Sequence, residues 1–356
     1  MTICDPRNQN VSDQFQRGVR RWARSLMSVL TTLALAVVAP AARANDPIPV
    51  RAATSLNVAF APMFVLGDSS IGIGKKHGLD VRLRMFPTGI AGMEAALAGE
   101  IDIPVMNAAV TLPVFVGGRA CFKGVVNFVD FGALRVVGKT DIKSVNDLAG
   151  KKVGTVPGAI GNTGLHLWMD MHKVPRDKVT IVSVQPQDMI PTLSRGDVDA
   201  IVWVDPIPAQ AITVLGADKV HTIGNVNEAY RDVVPINLTC KWVEQYGDKG
   251  VERVIAAWIE AVEYVKANPE KAANLTASQL RQDPKLILDQ MTKGGWLATA
   301  WPANMTDAQI DMLYKNAEYL ISVKRLEKMP DLGTWIDTKW LKRVAPARAQ
   351  LQKHKF

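Results

Sequence analysis

Residues 152–156, Lys-Val-Gly-Thr-Val, run into Pro157-Gly158-Ala159-Ile160-Gly161 and then into Asn162-Thr163-Gly164-Leu165-His166-Leu167-Trp168-Met169-Asp170-Met171-His172. A short apolar run, a glycine-rich turn and a longer stretch at helical spacing make a strand, a turn and a helix. The pattern then repeats. Residues 179–184 predict a strand, Asp188 the cap of a helix over 189–194, and Gly196 its close. Residues 199–204 predict another strand, and Asp205-Pro206 opens the next helix, since an acid at the cap and proline in the first turn suit a helix start. Strands alternating with helices predict an α/β architecture with mostly parallel sheets.

Working outward, residues 55–60 (SLNVAF) predict a strand ending at Ala61-Pro62, followed by a helix-like segment over 66–76 that stops at His77-Gly78. Residues 79–86 (LDVRLRMF) alternate apolar and polar, as a half-buried strand does. A helix is expected over 90–98, a short buried strand over 102–106, an apolar helix near 110–116, and strands over 125–129 and 133–137. Ser144-x-x-Asp147 has the form of a capping box. Beyond a strand at 233–239, Val251, Val254, Ile255, Trp258, Ile259, Val262 and Val265 share one face of a long amphipathic helix. Asn268-Pro269-Glu270 starts another, and Thr306 opens a further one running to about residue 323. The basic segment from 339 to 356 is expected to be exposed.

The chain has 356 residues, 48% hydrophobic and 21% charged, a globular balance that disfavours disordered, collagen-like and coiled-coil classes. Its +8 net charge invites a nucleic-acid reading. However, residues 1–44 carry Arg7, Arg17, Arg20, Arg21, Arg24 and Arg43 against Asp5 and Asp13, half of that excess. The other 312 residues are nearly balanced, so no nucleic-acid partner is expected. The arginines precede an apolar run over 26–39 and the small-residue site Ala42-Arg43-Ala44, which together read as a secretory signal cleaved after Ala44. The run is too short to span a bilayer comfortably. Arg20-Arg21 fits a twin-arginine signal poorly, and no cysteine follows the site for lipid attachment. Soluble export to a periplasm is expected. Cys121 and Cys240 then remain as a pair that permits a disulfide in an oxidising compartment, while buried free thiols are equally ordinary.

Four phrases occur in order: Gly78-Leu79-Asp80-Val81; Met93-Glu94-Ala95-Ala96-Leu97-Ala98-Gly99-Glu100-Ile101-Asp102; Ser144 through Gly154 (SVNDLAGKKVG); and Gly196-Asp197-Val198-Asp199-Ala200-x-x-Trp203-x-x-Pro206. Together they resemble the periplasmic substrate-binding proteins of ABC importers, in the nitrate/sulfonate/taurine group that includes thiamin-pyrimidine-like members. The resemblance covers roughly residues 50–270. It implies a two-lobed, type II periplasmic-binding-protein fold, with two mostly parallel sheets joined by two crossover strands. On this sequence the crossovers fall at 133–137 and 233–238. Lobe 1 is then 50–138 plus 235–330, lobe 2 is 139–234, and 331–356 is a basic C-terminal tail. The implied partners are a small-molecule ligand and an ABC permease at the inner membrane, the protein itself acting as a monomer.

In open parallel sheets, ligands sit beyond the carboxyl ends of strands, where loops and helix N-termini converge. A helix N-terminus offers unpaired N–H groups and partial positive charge, which suits a carboxylate, sulfonate or nitrate. Gly158, Gly161, Asn162 and Thr163 are the first candidates for anion contact, the alternative being a tight turn with Asn162 or Thr163 as cap. Thr88 and Gly89 hold the matching place in the first lobe, and Asn107 follows a strand directly, as a ligand contact or a turn residue. Gln187 lies in the candidate segment 185–188. Trp203 is either a binding wall or core. Asp205 could hold the amine of a zwitterion such as taurine or serve only as the helix cap. Phe60 and Met63, with Phe64, are an apolar wall or core.

No catalytic set emerges. His77, His166, His172, His221 and His354 are scattered, no metal cluster forms, and the serines lack a nucleophile-elbow context. Gly72-x-Gly74 lacks the strand and third glycine of a dinucleotide fingerprint. No cofactor is expected. Arg281 and Lys324-Arg325 read as solvated helix faces. A related group making the thiamin pyrimidine on this scaffold uses a cysteine-rich run that is absent here. A receptor feeding a sensor kinase is a further alternative.

Overall fold

Strand β1 (Ile48–Ser55) pairs in parallel with β2 (Leu79–Phe86), Ile48 opposite Leu79 and Ser55 opposite Phe86. Between them run α1 (Ala61–Gly67) and α2 (Ile73–Lys76), and after β2 come α3 (Gly89–Leu97) and α4 (Ala108–Val116). The computed structural model describes residues 46–131 and 134–356. The expected export signal over 1–44 lies outside the described residues, as does Ala133.

The strand expected at 55–60 ends where it was expected to begin. Residues 58–60 form a 3-10 turn capped by Asn57, whose Oδ1 accepts from the Ala59 N–H. Pro62 in the first turn of α1 continues the helical path. The expected strand over 102–106 is reduced to a single parallel bridge, Ile103 opposite Ala52.

The chain then runs through β3 (Phe122–Phe131), enters a five-stranded sheet through β4 (Leu134–Lys139), and returns along β9 (Asp232–Thr239). β3 and β9 pair antiparallel over their length, with register breaks between Gly124 and Val126 and between Asn127 and Val129. They form a two-stranded sheet of their own, apart from the five-stranded one. Leu134–Gly138, expected as the end of lobe 1, pairs antiparallel with β7 and β8 and belongs to the second sheet.

That second sheet has the order β6-β5-β7-β4-β8, built from β5 (Lys152–Thr155), β6 (Thr180–Ser183), β7 (Ala200–Val204) and β8 (Val220–Asn225) around β4. β6, β5 and β7 pair in parallel, and β4 is the antiparallel member. α5 (Ile160–Met171), α6 (Met189–Arg195) and α7 (Ile207–Leu215) connect them. Every residue of the central strand β7 is buried, as its unbroken apolar run requires when both faces are covered. The first lobe repeats the same order in outline. β2 and β1 are followed by residues 102–103, tied to β1 by the Ala53 N–H to Ile103 carbonyl bond, and Thr239 N–H donates to the Asp102 carbonyl.

After β9 the chain is helical: α8 (Cys240–Ala267), α9 (Pro269–Leu280), α10 (Pro284–Lys293) and α11 (Asp307–Ser322), the last opened by the expected capping box at Thr306 and Gln309. The predicted stripe of α8 is buried, with Ile259 only half-buried. The C-terminal segment is not an exposed tail. α12 (Leu332–Trp335) and α13 (Lys339–Val344) bury Leu332, Trp335, Trp340 and Leu341, and Ala349-Gln350 pairs with Met305-Thr306. Basic side chains point outward from this segment, while its tryptophans fill the core of the first lobe. Trp335 Nε1 donates to Asn237 Oδ1 on β9. Cys121 and Cys240 are bonded as a disulfide, their Cα atoms 5.4 Å apart, joining the start of β3 to the exit of β9.

Candidate functional site

The carboxyl ends of β1, β2 and β7 and the paired strands β3 and β9 converge on one cavity of about 80 Å³. One water needs roughly 10–15 Å³ on such a measure, so this volume suits a small solute. The first lobe supplies Ser55, Asn57, Phe60, Thr88, Gly89 and Asn107; the second supplies Ala159, Ile160, Trp203 and Val204. Phe128 and Val129 of β3 and Val234 of β9 close the base.

Helix starts dominate this wall, and each has a local sequence cause. Thr88 caps α3, its Oγ1 accepting from Ala91 N–H at 3.3 Å, and Asn107 caps α4, its Oδ1 accepting from Val110 N–H at 3.1 Å. Asn57 caps the turn before α1 at 2.9 Å. With Oδ1 engaged, the Nδ2 group of each asparagine is the polar end left to face a solute. Gly89 leaves room beside Asn107: a Cβ there would lie 3.2 Å from Met106 Sδ and 3.9 Å from Asn107 Nδ2. α5 begins at Ala159 with no side-chain cap, and Ala159 and Ile160 at its start line the cavity. The polar lining holds no carboxylate and no basic side chain, only hydroxyls, amides and backbone. The partial positive charge of several helix N-termini therefore sets the local field.

Of the residues expected from sequence, Phe60, Thr88, Gly89, Asn107 and Trp203 line the cavity. Phe60 stacks into an aromatic row with Phe128 and Trp258, centroids 5.0 and 4.9 Å apart. Met63 is fully buried in the core of α1, and Gln187 is exposed on a turn. Gly161 acts through packing. A Cβ there would sit 2.6 Å from Thr155 Oγ1 and 2.7 Å from the Val202 carbonyl, so glycine lets α5 lie against β7 and sets Trp203 in place. Thr163 is buried one turn into α5. Asp205 does not line this cavity: it pairs with Arg135 at 2.6 Å and accepts from Ala209 N–H, in the first turn of α7, at 3.2 Å, while Pro206 and not Asp205 holds the cap position. Burial pushes its carboxyl above the usual range, and Arg135 opposes that shift. Ser55 and Asn57 are polar lining residues that lay outside every ligand-contact segment expected from sequence, as did Phe128, Val129 and Val234 of the paired strands β3 and β9. Asn57 was hidden inside the expected strand.

Asn162 and Gly158 belong to a second arrangement, which joins the lobes. Gly158 N–H donates to Asn162 Oδ1 at 3.1 Å, fixing the amide so that Nδ2 faces His166 Nε2 at 3.3 Å. His166 Nε2 then accepts, and Nδ1–H donates to the Tyr319 hydroxyl on α11 at 2.8 Å. Arg176 lies 5.1 Å from the centre of the Tyr319 ring. Arg325, read from sequence as a solvated face, donates from Nη1 to the Gly158 carbonyl at 2.7 Å. Gly158 has φ 76°, and a Cβ there would meet the Arg325 guanidinium at 2.6 Å. Burial and Arg176 hold the His166 imidazole below its ordinary pKa, and burial pushes the Tyr319 phenol up to about 12. Gln210 of α7 also bonds Gln282 beyond α9.

Among the described residues no group of three or more His, Cys, Asp or Glu is placed to hold a metal ion, and no helix is long and apolar enough to cross a membrane.

The chain is similar to known proteins over most of its length. A Brucella abortus protein described as a binding protein is 28% identical over 265 residues, 72% of this chain and 79% of the relative. The periplasmic aliphatic sulphonate-binding protein of Escherichia coli superposes with TM-score 0.69 at 18% identity, covering 83% of this chain and 99% of the other. The periplasmic nitrate-binding protein of Synechocystis superposes with TM-score 0.70 at 12% identity, covering 84% and 88%. These structures establish the two-lobed periplasmic-binding-protein fold. The sequence pattern of one family matches residues 46–280, well over half of the chain, and the protein belongs to the NMT1-like family.

Proposed function

We propose that this protein is the extracytoplasmic solute-binding component of an ABC importer, capturing one small anion between its lobes and presenting the closed form to a permease. The observation that carries this reading is the cavity itself. It is small, shared by both lobes, ringed by helix N-termini and lined by groups that hold a solute without exchanging protons with it. The named binders of sulphonate and nitrate among its structural relatives support an oxyanion as ligand. Phe60, Phe128 and Trp203 add an apolar wall that suits a short organic group attached to the anion. In this reading the basic, apolar and small-residue pattern of residues 1–44 directs export to the periplasm, and the mature chain acts as a monomer.

The ligand contacts proposed are Asn57, Thr88, Asn107, Trp203 and the N-terminal turn of α5. The donors are fixed before binding, so the ligand stabilises the closed state by its differential affinity for it. Thermal unfolding of the mature protein with taurine, short alkanesulfonates, nitrate, sulfate, short carboxylates and the thiamin pyrimidine tests the proposal. A ligand at one hundred times its Kd adds about 2.7 kcal/mol, a rise of several degrees in Tm. Stabilisation by an oxyanion, lost in Asn107→Ala, supports the reading; no shift with any of them sinks it.

A further inference from the structure

A cavity of about 270 Å³ lies where β3 begins and β9 ends, and it shares no lining residue with the helix-ringed one. Cys121 and Cys240, the disulfide partners, both line it, together with Arg51, Arg119 and Lys241. Cys121 is exposed and Cys240 half-buried, which places the bond at the surface of the molecule and not in its core. With one water needing roughly 10–15 Å³ on such a measure, the space admits a small organic molecule.

The charge beside the bond is one-sided. Asp102 is taken up by Arg51, whose Nε and Nη2 donate to its two carboxylate oxygens at 2.9 and 2.6 Å. Arg119, two residues before Cys121, comes only to 3.6 Å from Glu94, and both side chains are more than half exposed. Lys241, the residue after Cys240, has no ion-pair partner among the described residues. The wall thus sets three cations against one carboxylate.

Thiol–disulfide exchange proceeds by attack of a thiolate on one sulfur and departure of the other, so access and stabilisation of the leaving thiolate govern it. Cys121 offers the access, and Lys241 beside Cys240 favours a thiolate there. The backbone also holds the two cysteines together independently of their bond. Cys240 N–H donates to the Cys121 carbonyl at 3.0 Å, and Phe122 stands opposite Thr239. Opening the bond therefore leaves the strands paired and the two sulfurs within reach of each other.

We propose that Cys121–Cys240 is a reversible thiol-exchange site, modified at Cys121 by a small thiol that carries carboxylates. The incoming thiolate bonds to Cys121 Sγ, the protein Sγ–Sγ bond breaks, and its electron pair leaves on Cys240 Sγ. The carboxylates of the modifier lie against Arg119 and Lys241. Attack of the Cys240 thiolate on the mixed disulfide expels the modifier and restores the bond. Attack of a second small thiol instead releases the small-molecule disulfide and leaves both cysteines reduced, two electrons having passed from the two thiols to the protein.

The test exposes the folded mature protein, near neutral pH, to glutathione, 2-mercaptoethanol and cysteamine, which are anionic, neutral and cationic thiols. Adducts are trapped by alkylation and located by peptide mass spectrometry, while circular dichroism reports that the fold persists. Glutathione is expected to appear on Cys121, with a rate constant per thiolate at least tenfold above that of cysteamine. That advantage should shrink several-fold at about 0.5 M salt and in the double variant Arg119→Gln with Lys241→Gln. The proposal is overturned if no adduct forms while the protein stays folded, or if the adduct sits chiefly on Cys240. Equal rates for the three thiols, or a glutathione rate untouched by the double variant, overturn it as well.

Discussion

Asn107 illustrates how one side chain serves the fold and the site together. Its Oδ1 caps α4, and its Nδ2 is left beside the space that Gly89 keeps open. Asn107→Ala is expected to cost about 1 kcal/mol of stability through the lost cap and to weaken anion binding tenfold or more, read by denaturant unfolding and calorimetry on the same sample. Asn107→Asp keeps the cap but sets a carboxylate against the anion, so stability should hold while affinity falls further. Asn107 was visible in sequence because it directly follows a predicted strand, and Thr88 because it holds the matching place in the loop after another. Asn162 and Thr163 follow one too, yet they serve the interlobe contact and the core. At about 100° per residue along a helix, the sequence does not state which first-turn residue faces the cavity until the strand below fixes the helix rotation. Asp205 shows the same limit: its place at the start of α7 was legible, but Pro206 takes the expected cap position, and its pairing with Arg135 from another strand was not legible.

At the scale of elements, α5 and α11 meet through His166 and Tyr319, with Arg325 reaching the Gly158 carbonyl. Tyr319→Phe removes one hydrogen bond across the lobes. It is expected to weaken ligand binding several-fold while leaving circular dichroism unchanged, and to raise the radius of gyration of the ligand-bound form in small-angle scattering. The contact also makes stability pH-dependent. His166 faces Asn162 on its own helix, Tyr319 of α11, Arg176 beyond α5, and Asp170. Its folded pKa lies below the ordinary value of 6.5, so the unfolded chain binds a proton near that pH which the folded chain refuses. Stability from this group is complete above about 6.5 and declines as pH falls toward the depressed folded value. Tm measured from pH 7.5 to 5.5 should fall, and His166→Gln should flatten the slope; an equal slope in the variant would exclude His166 as its source.

Across the whole molecule, the disulfide joins Cys121 and Cys240 where the chain leaves and re-enters the first lobe, closing a loop of 119 residues that contains the entire second sheet. Constraining so long a loop in the unfolded chain accounts for a stabilisation on the order of 2–4 kcal/mol. Cys121→Ser with Cys240→Ser is therefore expected to lower unfolding free energy by that amount. Ligand affinity should change little, because the bond lies at the base of the first lobe and neither cysteine lines the helix-ringed cavity. Loss of binding in the double variant at temperatures where it stays folded would show that β3 and β9 need the bond to hold their geometry.

The sequence by itself determined the α/β alternation, the buried face of α8, the capped start of α11 and the strand at 79–86, because periodicity and caps are local properties of the chain. It also determined that strand ends, not strand middles, supply the polar groups. Only the tertiary structure decided which strands join which sheet. The stretches expected as strands at 125–129 and 133–137 are both short and largely apolar, and their difference lies in their partners: β9 for the first, β7 and β8 for β4. It likewise decided that a basic C-terminal segment would bury its tryptophans, that two cysteines would meet, and that a histidine with no neighbour in sequence would join the two lobes. Each of these depends on contacts between residues far apart in the chain, which no local pattern encodes.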